Sequence, residues 1–264
     1  MDKLIVDRNL TDSRERAKAF ILAGSISVNG ETIRKPARLV DSTAEIVIRR
    51  ERGGYVSRGG MKLERALNVF AVCAAETFCL DIGASTGGFT DCLLQHGARR
   101  VVAVDVGKNQ LAYTLRIDPR VQPVDGFNAR MIDQLTLDRV PDIVTIDVSF
   151  ISIRYILLPL KSIVVGETEI ICLIKPQFEI ERPYRNFSGV VRDKERHINV
   201  LMKLNDFFES SGYGVHGYTF SPIRGPKGNI EYFVHLRKGS RGTYSIHSIE
   251  RVVENSYSYF RSCT

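Results

Sequence analysis

The chain has 264 residues, of which 44% are hydrophobic, and a formal net charge of +7 at pH 7. This length fits one large domain, or a medium domain with a small one attached, and the hydrophobic content suffices for a packed core. The excess of basic residues indicates an anionic partner such as nucleic acid or a membrane surface, although many basic proteins bind neither.

The cysteines and the hydropathy pattern exclude several classes of protein. Five cysteines are present, and no two have CxxC spacing. That pattern is typical of reduced thiols in a cytosolic protein and predicts no metal site. The start of the chain has no apolar signal core, and the most apolar region, 150–174, is interrupted by four charged residues. We therefore expect a soluble cytoplasmic protein without stable membrane association.

Residues 1–55 carry the pattern of a small α+β domain. Apolar residues at helical spacing follow Thr11 and stop at Gly24, which predicts a short helix. The Asn29-Gly30 pair between two short apolar runs predicts a tight hairpin, and a third strand is expected over 44–48.

The predicted helix in this domain is basic. Its exposed positions include Arg14, Arg16 and Lys18, which on charge alone are equally explained as an ordinary solvated helix face. The segment 13–24, followed by Val-Asn-Gly at 28–30, resembles the alpha-L RNA-binding domain of a small-subunit ribosomal protein and of pseudouridine synthases. This resemblance implies that the three basic residues contact structured RNA. The chain begins Met-Asp-Lys where that family usually has Arg-Leu-Asp.

A glycine-rich, charged stretch at 50–60 marks a domain boundary, and we predict a linker over 56–60 and a second domain over 61–264. From residue 78 onward, apolar strand patterns alternate with helical ones, and each strand ends at a polar residue. This alternation predicts an α/β fold with a Rossmann-like, doubly wound sheet and functional groups at the carboxyl ends of its strands. The tail predicts one amphipathic helix, with apolar residues at 246, 249, 253 and 257.

The loop after the first strand of the second domain indicates which cofactor it holds. Its order is Asp81-x-Gly83-x-x-x-Gly87-Gly88, which differs from the Gly-x-Gly-x-x-Gly of dinucleotide sites and lacks the Gly-Lys-Ser/Thr of a P-loop. An acidic residue before the first glycine suits a positively charged cofactor such as S-adenosylmethionine. Asp105 ends the next strand, where it is either an acceptor for the ribose hydroxyls of an adenosine or a solvated strand-end carboxylate.

Four further polar residues are expected at the same edge of the sheet. Asp147 and Lys175 end two later strands, Glu231 begins the last strand pattern, and Lys62 lies in the helix before the first strand. Taken singly, each is explained by a salt-bridged strand end. As a set they suggest acid–base chemistry, because a second lysine near Lys175 would favour the neutral amine that a general base needs, and Glu231 could orient one of the lysines.

The motifs that contain these residues resemble the TlyA family, whose older name is haemolysin and whose catalytic domain is FtsJ-like. The motifs are Ser57-Arg-Gly-Gly-Met-Lys-Leu63, 81–91, 104–107, 146–152, 175–179 and 221–231. The resemblance implies an S-adenosylmethionine-dependent ribose 2'-O-methyltransferase acting on ribosomal RNA or ribosomal subunits.

The same resemblance assigns a role to individual residues. It places a Lys-Asp-Lys-Glu catalytic tetrad on Lys62, Asp147, Lys175 and Glu231, and an RNA contact on Arg58. The expected cofactor contacts are Asp81, Gly83, Ser85, Thr86, Gly87, Gly88, Phe89, Asp105, Val106, Asn128 and Asp147. The chain differs from the usual family sequence near these contacts: it has Asp-Gly-Phe-Asn at 125–128 where the family usually has Glu-Arg-Thr-Asn.

Two other functions are consistent with parts of this pattern. A membrane-active haemolysin is suggested by the family's older name, but the sequence predicts no membrane span and no long amphipathic helix of the membrane-binding type. A non-catalytic RNA-binding factor in ribosome assembly would keep the fold, but would not need the four tetrad residues. Neither the target nucleotide, nor the ribosomal subunit, nor the oligomeric state follows from the sequence.

Overall fold

The computed structural model describes residues 1–8, 10–11, 13–22, 24–48, 54–180, 187–244 and 246–262, with only the backbone described at residues 16, 19 and 246. The amino-terminal part contains helices α1 (Asp2–Asp7) and α2 (Arg14–Leu22). They are followed by strands β1 (Ile26–Val28), β2 (Glu31–Ile33) and β3 (Ile46–Ile48), which form an antiparallel sheet in the order β2-β1-β3. This arrangement confirms the small α+β unit.

The hairpin of this unit forms where the sequence predicts it. Asn29 and Gly30 both have positive φ angles, of 48° and 85°, as the favoured two-residue hairpin turn requires. Ile5, Ile21 and Ile26 are fully buried in a separate core. The predicted third strand is shorter than expected, and residue 12 of the predicted helix start lies outside the described residues.

The rest of the chain forms a larger α/β unit. Its strands are β4 (Phe78–Ile82), β5 (Arg100–Asp105), β6 (Val121–Asp125), β7 (Ile143–Ile146), β8 (Glu169–Ile174), β9 (Tyr213–Phe220) and β10 (Tyr232–Lys238). Its α-helices are α3 (Gly59–Phe70), α4 (Gly88–Gln95), α5 (Tyr113–Arg116), α6 (Arg154–Leu160), α7 (Pro176–Glu179), α8 (Lys194–Ser210) and α9 (Ile246–Ser262), and a 3-10 helix covers Ala129–Gln134.

The strands build one sheet in the order β6-β5-β4-β7-β8-β10-β9. Neighbours from β6 to β8 are parallel, whereas β10 is antiparallel to both β8 and β9. The order reverses between β4 and β7, which is the switch point where ligands bind in open α/β sheets. The predicted doubly wound fold is confirmed.

Alternate residues of each parallel strand face opposite cores, as the two-residue period of a strand requires. Leu80, Val102 and Val144 belong to a core shared with α6, α8 and α9. Cys79 and Val101 belong to the other core, which contains residues of α3 and α4. Helices therefore cover both faces and leave the carboxyl edge of the parallel strands open for ligands.

The amino-terminal entry to this unit, around residues 55–59, packs against its core. Tyr55 and Val56 pack against the core, Val56 N donates to Asp91 Oδ2 over 2.8 Å, and α3 begins at Gly59. The stretch 56–60 therefore leads directly into a helix, and the hydrogen bond from Val56 to Asp91 connects it to α4. A domain division near residue 55 stays a prediction.

The carboxyl-terminal part contains one predicted and one unpredicted element. Helix α9 confirms the amphipathic tail, and Ile249 and Val253 are fully buried. Strand β9 was not predicted, because Gly214 and Gly217 interrupt its apolar pattern, yet seven of its eight residues are buried. None of the helices in the described part of the chain is long and apolar enough to cross a membrane.

Candidate functional site

The loop between β4 and α4 lies tightly against the neighbouring strands. Gly83 has a φ of 86°, and a Cβ there would lie 2.4 Å from the Asp147 carbonyl oxygen. The amides of Gly83 and Ala84 both donate to the Val104 carbonyl, over 2.8 and 3.0 Å. Gly87 has a φ of 95°, and a Cβ there would lie 2.2 Å from Leu115. Both positions require glycine, as the sequence pattern predicts.

Asp81 lies beneath this loop and is fully buried. Its carboxylate accepts hydrogen bonds from the hydroxyls of Thr90, over 2.6 Å, and Thr145, over 2.8 Å. Burial raises the pKa of Asp81 to about 6, although the two hydroxyl bonds act in the opposite direction. These two bonds connect β4 to α4 and β7 beneath the loop. Contact of Asp81 with a cofactor stays a prediction.

Three cavities meet at Gly83, Ser85 and Asp147. The Asp105 cavity, of about 570 Å³, extends from these residues along 104–106 and 127–130. The lysine cavity, of about 440 Å³, contains all four tetrad residues. The Gly88 cavity, of about 340 Å³, lies between 57–59 and 83–89. The shared residues make them neighbouring parts of one site at the carboxyl edge of the sheet.

Asp105 connects two loops at the wall of the Asp105 cavity. Its Oδ2 accepts from the Ser85 amide over 2.8 Å, and its Oδ1 accepts from the Gly107 amide over 2.6 Å. Each carboxylate oxygen retains a lone pair after one hydrogen bond, so Asp105 can also accept from a ligand hydroxyl. Val106 beside it is 72% exposed.

The departure from the family pattern at 125–128 forms another wall of this cavity. Asp125 Oδ2 accepts from Arg116 Nη2 over 2.6 Å, and this ion pair lowers the pKa of Asp125. Asn128 Oδ1 accepts from the Arg130 amide over 3.1 Å and so caps the 3-10 helix. Phe127 lines the cavity between them. An apolar ring thus lies where the family usually has a polar threonine.

The four tetrad residues come from four different elements. Asp147 follows β7, Lys175 follows β8, and Lys62 lies in the first turn of α3. Glu231 directly precedes β10, which is antiparallel to β8 with Tyr232 opposite Ile174, so the start of β10 lies at the carboxyl end of β8. The topology therefore brings them to one place, as the positions of the strand ends predict.

These four residues form two ion pairs in the lysine cavity. Lys62 Nζ lies 2.5 Å from Glu231 Oε2, and their side chains are 9% and 1% exposed. Lys175 Nζ lies 2.5 Å from Asp147 Oδ1, and their side chains are 11% and 22% exposed. Lys175 Nζ also donates to Ser149 Oγ over 2.8 Å. The Asp147 contact is an ion pair without hydrogen-bond geometry, so Ser149 is the acceptor that orients the amine. A partly buried amine that faces a cavity and is oriented in this way can exchange a proton with a bound ligand.

Several other residues of the lysine cavity were not predicted. Phe150 is 89% exposed, has a φ of 65°, and its ring centroid lies 5.1 Å from that of Phe178. Gln177 places a buried Oε1 there that has no hydrogen-bond partner among the described residues. Phe150, Gln177 and Phe178 lie within three residues of Asp147 or Lys175 and inside the motifs 146–152 and 175–179, which are the signals in the sequence that could have indicated them.

The remaining predicted cofactor contacts are divided between the cavities. Thr86, Gly88 and Phe89 line the Gly88 cavity. Phe89 is only 3% exposed, and its ring lies 6.0 Å from the ring of Phe233, so most of its side chain belongs to the core. Ser57, which was not among the predicted contacts, lines the same cavity.

The predicted RNA-contacting residues lie in separate elements. On α2, Arg14 forms an ion pair of 2.9 Å with Asp2 and Lys18 is exposed, while the Arg16 side chain lies outside the described residues. Arg58, at the start of α3, is exposed and donates to the Arg224 carbonyl over 2.7 Å. Their contact with RNA stays a prediction.

Comparison with known families divides the chain into two matches. The FtsJ-like methyltransferase family matches residues 55–238. The S4 domain family matches residues 2–46.

Individual relatives match nearly the whole chain. Hemolysin A of Brachyspira hyodysenteriae is 42% identical over 238 residues, which cover 89% of this chain and 98% of that protein. The 16S/23S rRNA (cytidine-2'-O)-methyltransferase TlyA of Mycobacterium tuberculosis is 39% identical over 259 residues, which cover 98% of this chain and 97% of that protein.

A solved structure has the same fold over the same span. The structure described as "Putative hemolysin from Streptococcus thermophilus" superposes with a TM-score of 0.74 and 41% identity. The match covers 99% of this chain and 96% of that one.

Proposed function

The chain belongs to the TlyA family of FtsJ-like methyltransferases, and we propose that it transfers a methyl group from S-adenosylmethionine to a ribose 2'-hydroxyl in ribosomal RNA. One observation carries the proposal. Lys175, held by Asp147, faces the same cavity as the Lys62–Glu231 pair, directly beside the glycine loop. This arrangement supports the role of Lys175 as a proton acceptor beside a nucleotide-binding loop.

The Asp105 cavity fits the adenosine part of S-adenosylmethionine. Asp105 offers acceptor oxygens for ribose hydroxyls, while Phe127 and Val148 supply apolar surface for an adenine ring. Asp147 lines all three cavities, so its carboxylate is suitably placed to attract a cationic ligand group. The residues at 125–128 that differ from the family pattern remain compatible with this fit. Phe127 adds apolar area, and Asn128 keeps this wall of the Asp105 cavity in place.

The proposed reaction needs a nucleophilic oxygen and an acceptor for its proton. S-adenosylmethionine supplies a methyl group on a sulfonium sulfur, and its transfer forms a carbon–oxygen bond, breaks the carbon–sulfur bond and leaves a neutral thioether. Lys175 Nζ receives the proton of the 2'-hydroxyl, and Asp147 stabilises the resulting ammonium. Lys62, fixed by Glu231, positions the hydroxyl.

The size of these contributions is known from other enzymes. Holding the reacting groups together supplies about 7–11 kcal/mol, and a general base adds about 10²- to 10⁴-fold.

The lysine cavity also offers a surface for a nucleobase. Phe150 exposes nearly all of its ring beside the cavity and is backed by Phe178. Such a ring can stack on an unpaired base, and sequence-selective RNA recognition generally uses unstacked nucleotides. We propose that the target nucleotide is turned out of its helix and that its base lies on Phe150.

The amino-terminal unit supports ribosomal RNA as the substrate. An S4 domain covers residues 2–46, and Lys18 and Arg14 lie one turn apart on the surface of α2. The M. tuberculosis relative is named for methylation of 16S and 23S rRNA. We propose that this unit binds folded RNA in the cytoplasm and presents one nucleotide to the lysine cavity.

The test is methyl transfer from tritiated S-adenosylmethionine to ribosomal subunits that lack the modification. The wild-type protein should label rRNA, whereas Lys175→Ala and Lys175→Arg should not, because arginine keeps the charge but cannot accept a proton near neutral pH. Both variants should still bind S-adenosylhomocysteine. No labelling by the wild-type protein would favour an RNA-binding assembly factor, and normal labelling by Lys175→Arg would remove the proton-acceptor role.

A further inference from the structure

The Lys175 amine donates a hydrogen bond to Ser149, in addition to its ion pair with Asp147. Ser149 Oγ lies 2.8 Å from Lys175 Nζ, while Asp147 Oδ1 lies 2.5 Å from the same atom. Asp147 and Ser149 come from one short segment that follows β7, and Lys175 comes from the end of the adjacent strand β8. Ser149 also lines both the lysine cavity and the Asp105 cavity.

The backbone of this segment brings both residues to the amine. Asp147 and Ser149 flank Val148, whose side chain is 8% exposed and belongs to the core. Asp147 and Ser149 both line the lysine cavity, and Val148 between them does not. The Asp147 carbonyl lies against Gly83, where a Cβ would approach it to 2.4 Å, and this close contact holds the start of the segment in place.

A neutral amine needs a directed hydrogen bond to fix the orientation of its lone pair. Such an amine has two N–H bonds and one lone pair, and its group rotates about the Cε–Nζ bond. With Asp147 alone, rotation would leave the direction of the lone pair undefined. Asp147 contacts the amine as a charge, at 2.5 Å but without a directed hydrogen bond, so the N–H donated to Ser149 Oγ fixes the rotation of the group and leaves the lone pair for the 2'-hydroxyl proton.

We infer that Ser149 is a positioning residue that aims the lone pair of Lys175 at the substrate, an inference that rests on the proposed function. The proton moves from the 2'-oxygen to Nζ, and the same two residues then hold the ammonium without rearrangement. Groups fixed in advance in this way cost no reorganisation during the reaction. Ser149 itself neither gains nor loses a proton in this scheme.

The inference is tested with Ser149→Ala and Ser149→Thr in the full chain. Loss of the hydroxyl should lower kcat for methylation of ribosomal subunits by about 10- to 100-fold, the range expected when a catalytic group is misplaced. The KM for the subunits and the Kd for S-adenosylhomocysteine, measured by calorimetry, should stay within about twofold, since lost positioning does not weaken binding. Ser149→Thr restores a hydroxyl and should recover most of kcat.

Ser162→Ala is the matched control, because the Ser162 hydroxyl donates only to the nearby Pro159 carbonyl at the end of α6, away from the cavities. It should behave as the wild-type protein.

A kcat of Ser149→Ala equal to that of an active wild-type protein would overturn the inference and leave the proposed function intact. A Ser149→Ala effect confined to the Kd for S-adenosylhomocysteine would also overturn it, because it would assign the hydroxyl to cofactor binding. Failure of Ser149→Thr to restore kcat would contradict the role of the hydroxyl. An inactive wild-type protein would instead overturn the proposed function, together with this inference.

Discussion

Lys62 Nζ lies 2.5 Å from Glu231 Oε2, in a pair that joins α3 to the start of β10, and the side chains are 9% and 1% exposed. Gly225 packs against this carboxylate, since a Cβ there would lie 2.4 Å from Glu231 Oε1. The pair is therefore enclosed and fixed from several sides. Its two charges connect distant segments of the chain, and both residues line the lysine cavity.

Breaking this pair should affect stability and activity separately. Lys62→Met leaves the Glu231 carboxylate buried without its partner, which should lower the free energy of unfolding by about 3–5 kcal/mol. Lys62→Met with Glu231→Leu removes both charges and should recover most of that loss, but not methylation. Urea unfolding and methyl-transfer assays of the variants check this. If the double variant regained activity, the pair would be structural only.

Replacing Asp105 should weaken cofactor binding without unfolding the protein. In Asp105→Asn, one carboxylate oxygen becomes an amide nitrogen, so the side chain can accept from only one of the Ser85 and Gly107 amides. The change also removes a charged acceptor for a ribose hydroxyl. Hydrogen bonds to charged groups contribute about 1.5–3 kcal/mol, so the Kd for S-adenosylhomocysteine should rise about 10- to 150-fold in calorimetry. Asp206→Asn, at an exposed position of α8, is the matched control. Equal Kd values for both variants would contradict the assignment.

The buried carboxylate of Asp81 should make stability depend on pH. Burial raises its folded-state pKa to about 6, whereas an unfolded aspartate titrates near 3.9. The folded state therefore binds the proton more tightly than the unfolded state does. The stabilisation that results is complete below pH 4 and is lost as the pH rises through 6. Relative to Asp81→Asn, the free energy of unfolding of the wild-type protein should fall by about 2–3 kcal/mol between pH 4 and pH 7. If the free energies of unfolding of the wild-type protein and of Asp81→Asn differ by the same amount at every pH in this range, Asp81 does not titrate there.

The ring of Phe150 should contribute to RNA binding but not to folding. Because the side chain is 89% exposed, Phe150→Ala should leave the free energy of unfolding within about 0.5 kcal/mol of wild type. Loss of stacking on one base costs about 1–3 kcal/mol, which should raise the KM for ribosomal subunits about 5- to 150-fold. Phe150→Tyr keeps the ring and should remain near wild type. An unchanged KM for Phe150→Ala would exclude base stacking at this position.

Much of the fold could be predicted from local chemistry. The Asn29-Gly30 turn and the apolar period of α9 specify their structures within a few residues. The positions of Asp105, Asp147 and Lys175 at strand ends were also predictable, because the carboxyl ends of parallel strands meet at one edge of a sheet.

The sequence could not show which residues that are distant in the chain form pairs in the folded protein. It suggested four polar residues at one edge, but not that Lys62 pairs with Glu231 while Lys175 pairs with Asp147, since these partners lie far apart in the chain. Strand β9 was missed because Gly214 and Gly217 interrupt its apolar pattern, and because its burial depends on β10, α8 and α9, which are distant in the sequence or unpaired until the chain folds. Ser149 was missed because a serine carries no distinctive signal until its hydroxyl is seen beside the Lys175 amine.

The position of the transferred methyl group tests the central claim most directly. Subunits treated with the wild-type protein and S-adenosylmethionine should yield nucleosides with the new methyl group on the ribose 2'-oxygen, identified by mass spectrometry and by resistance of the adjacent phosphodiester to alkali. Lys175→Ala should produce none. A methyl group found on a base, or a ribose methyl group formed equally well by Lys175→Ala, would contradict the account.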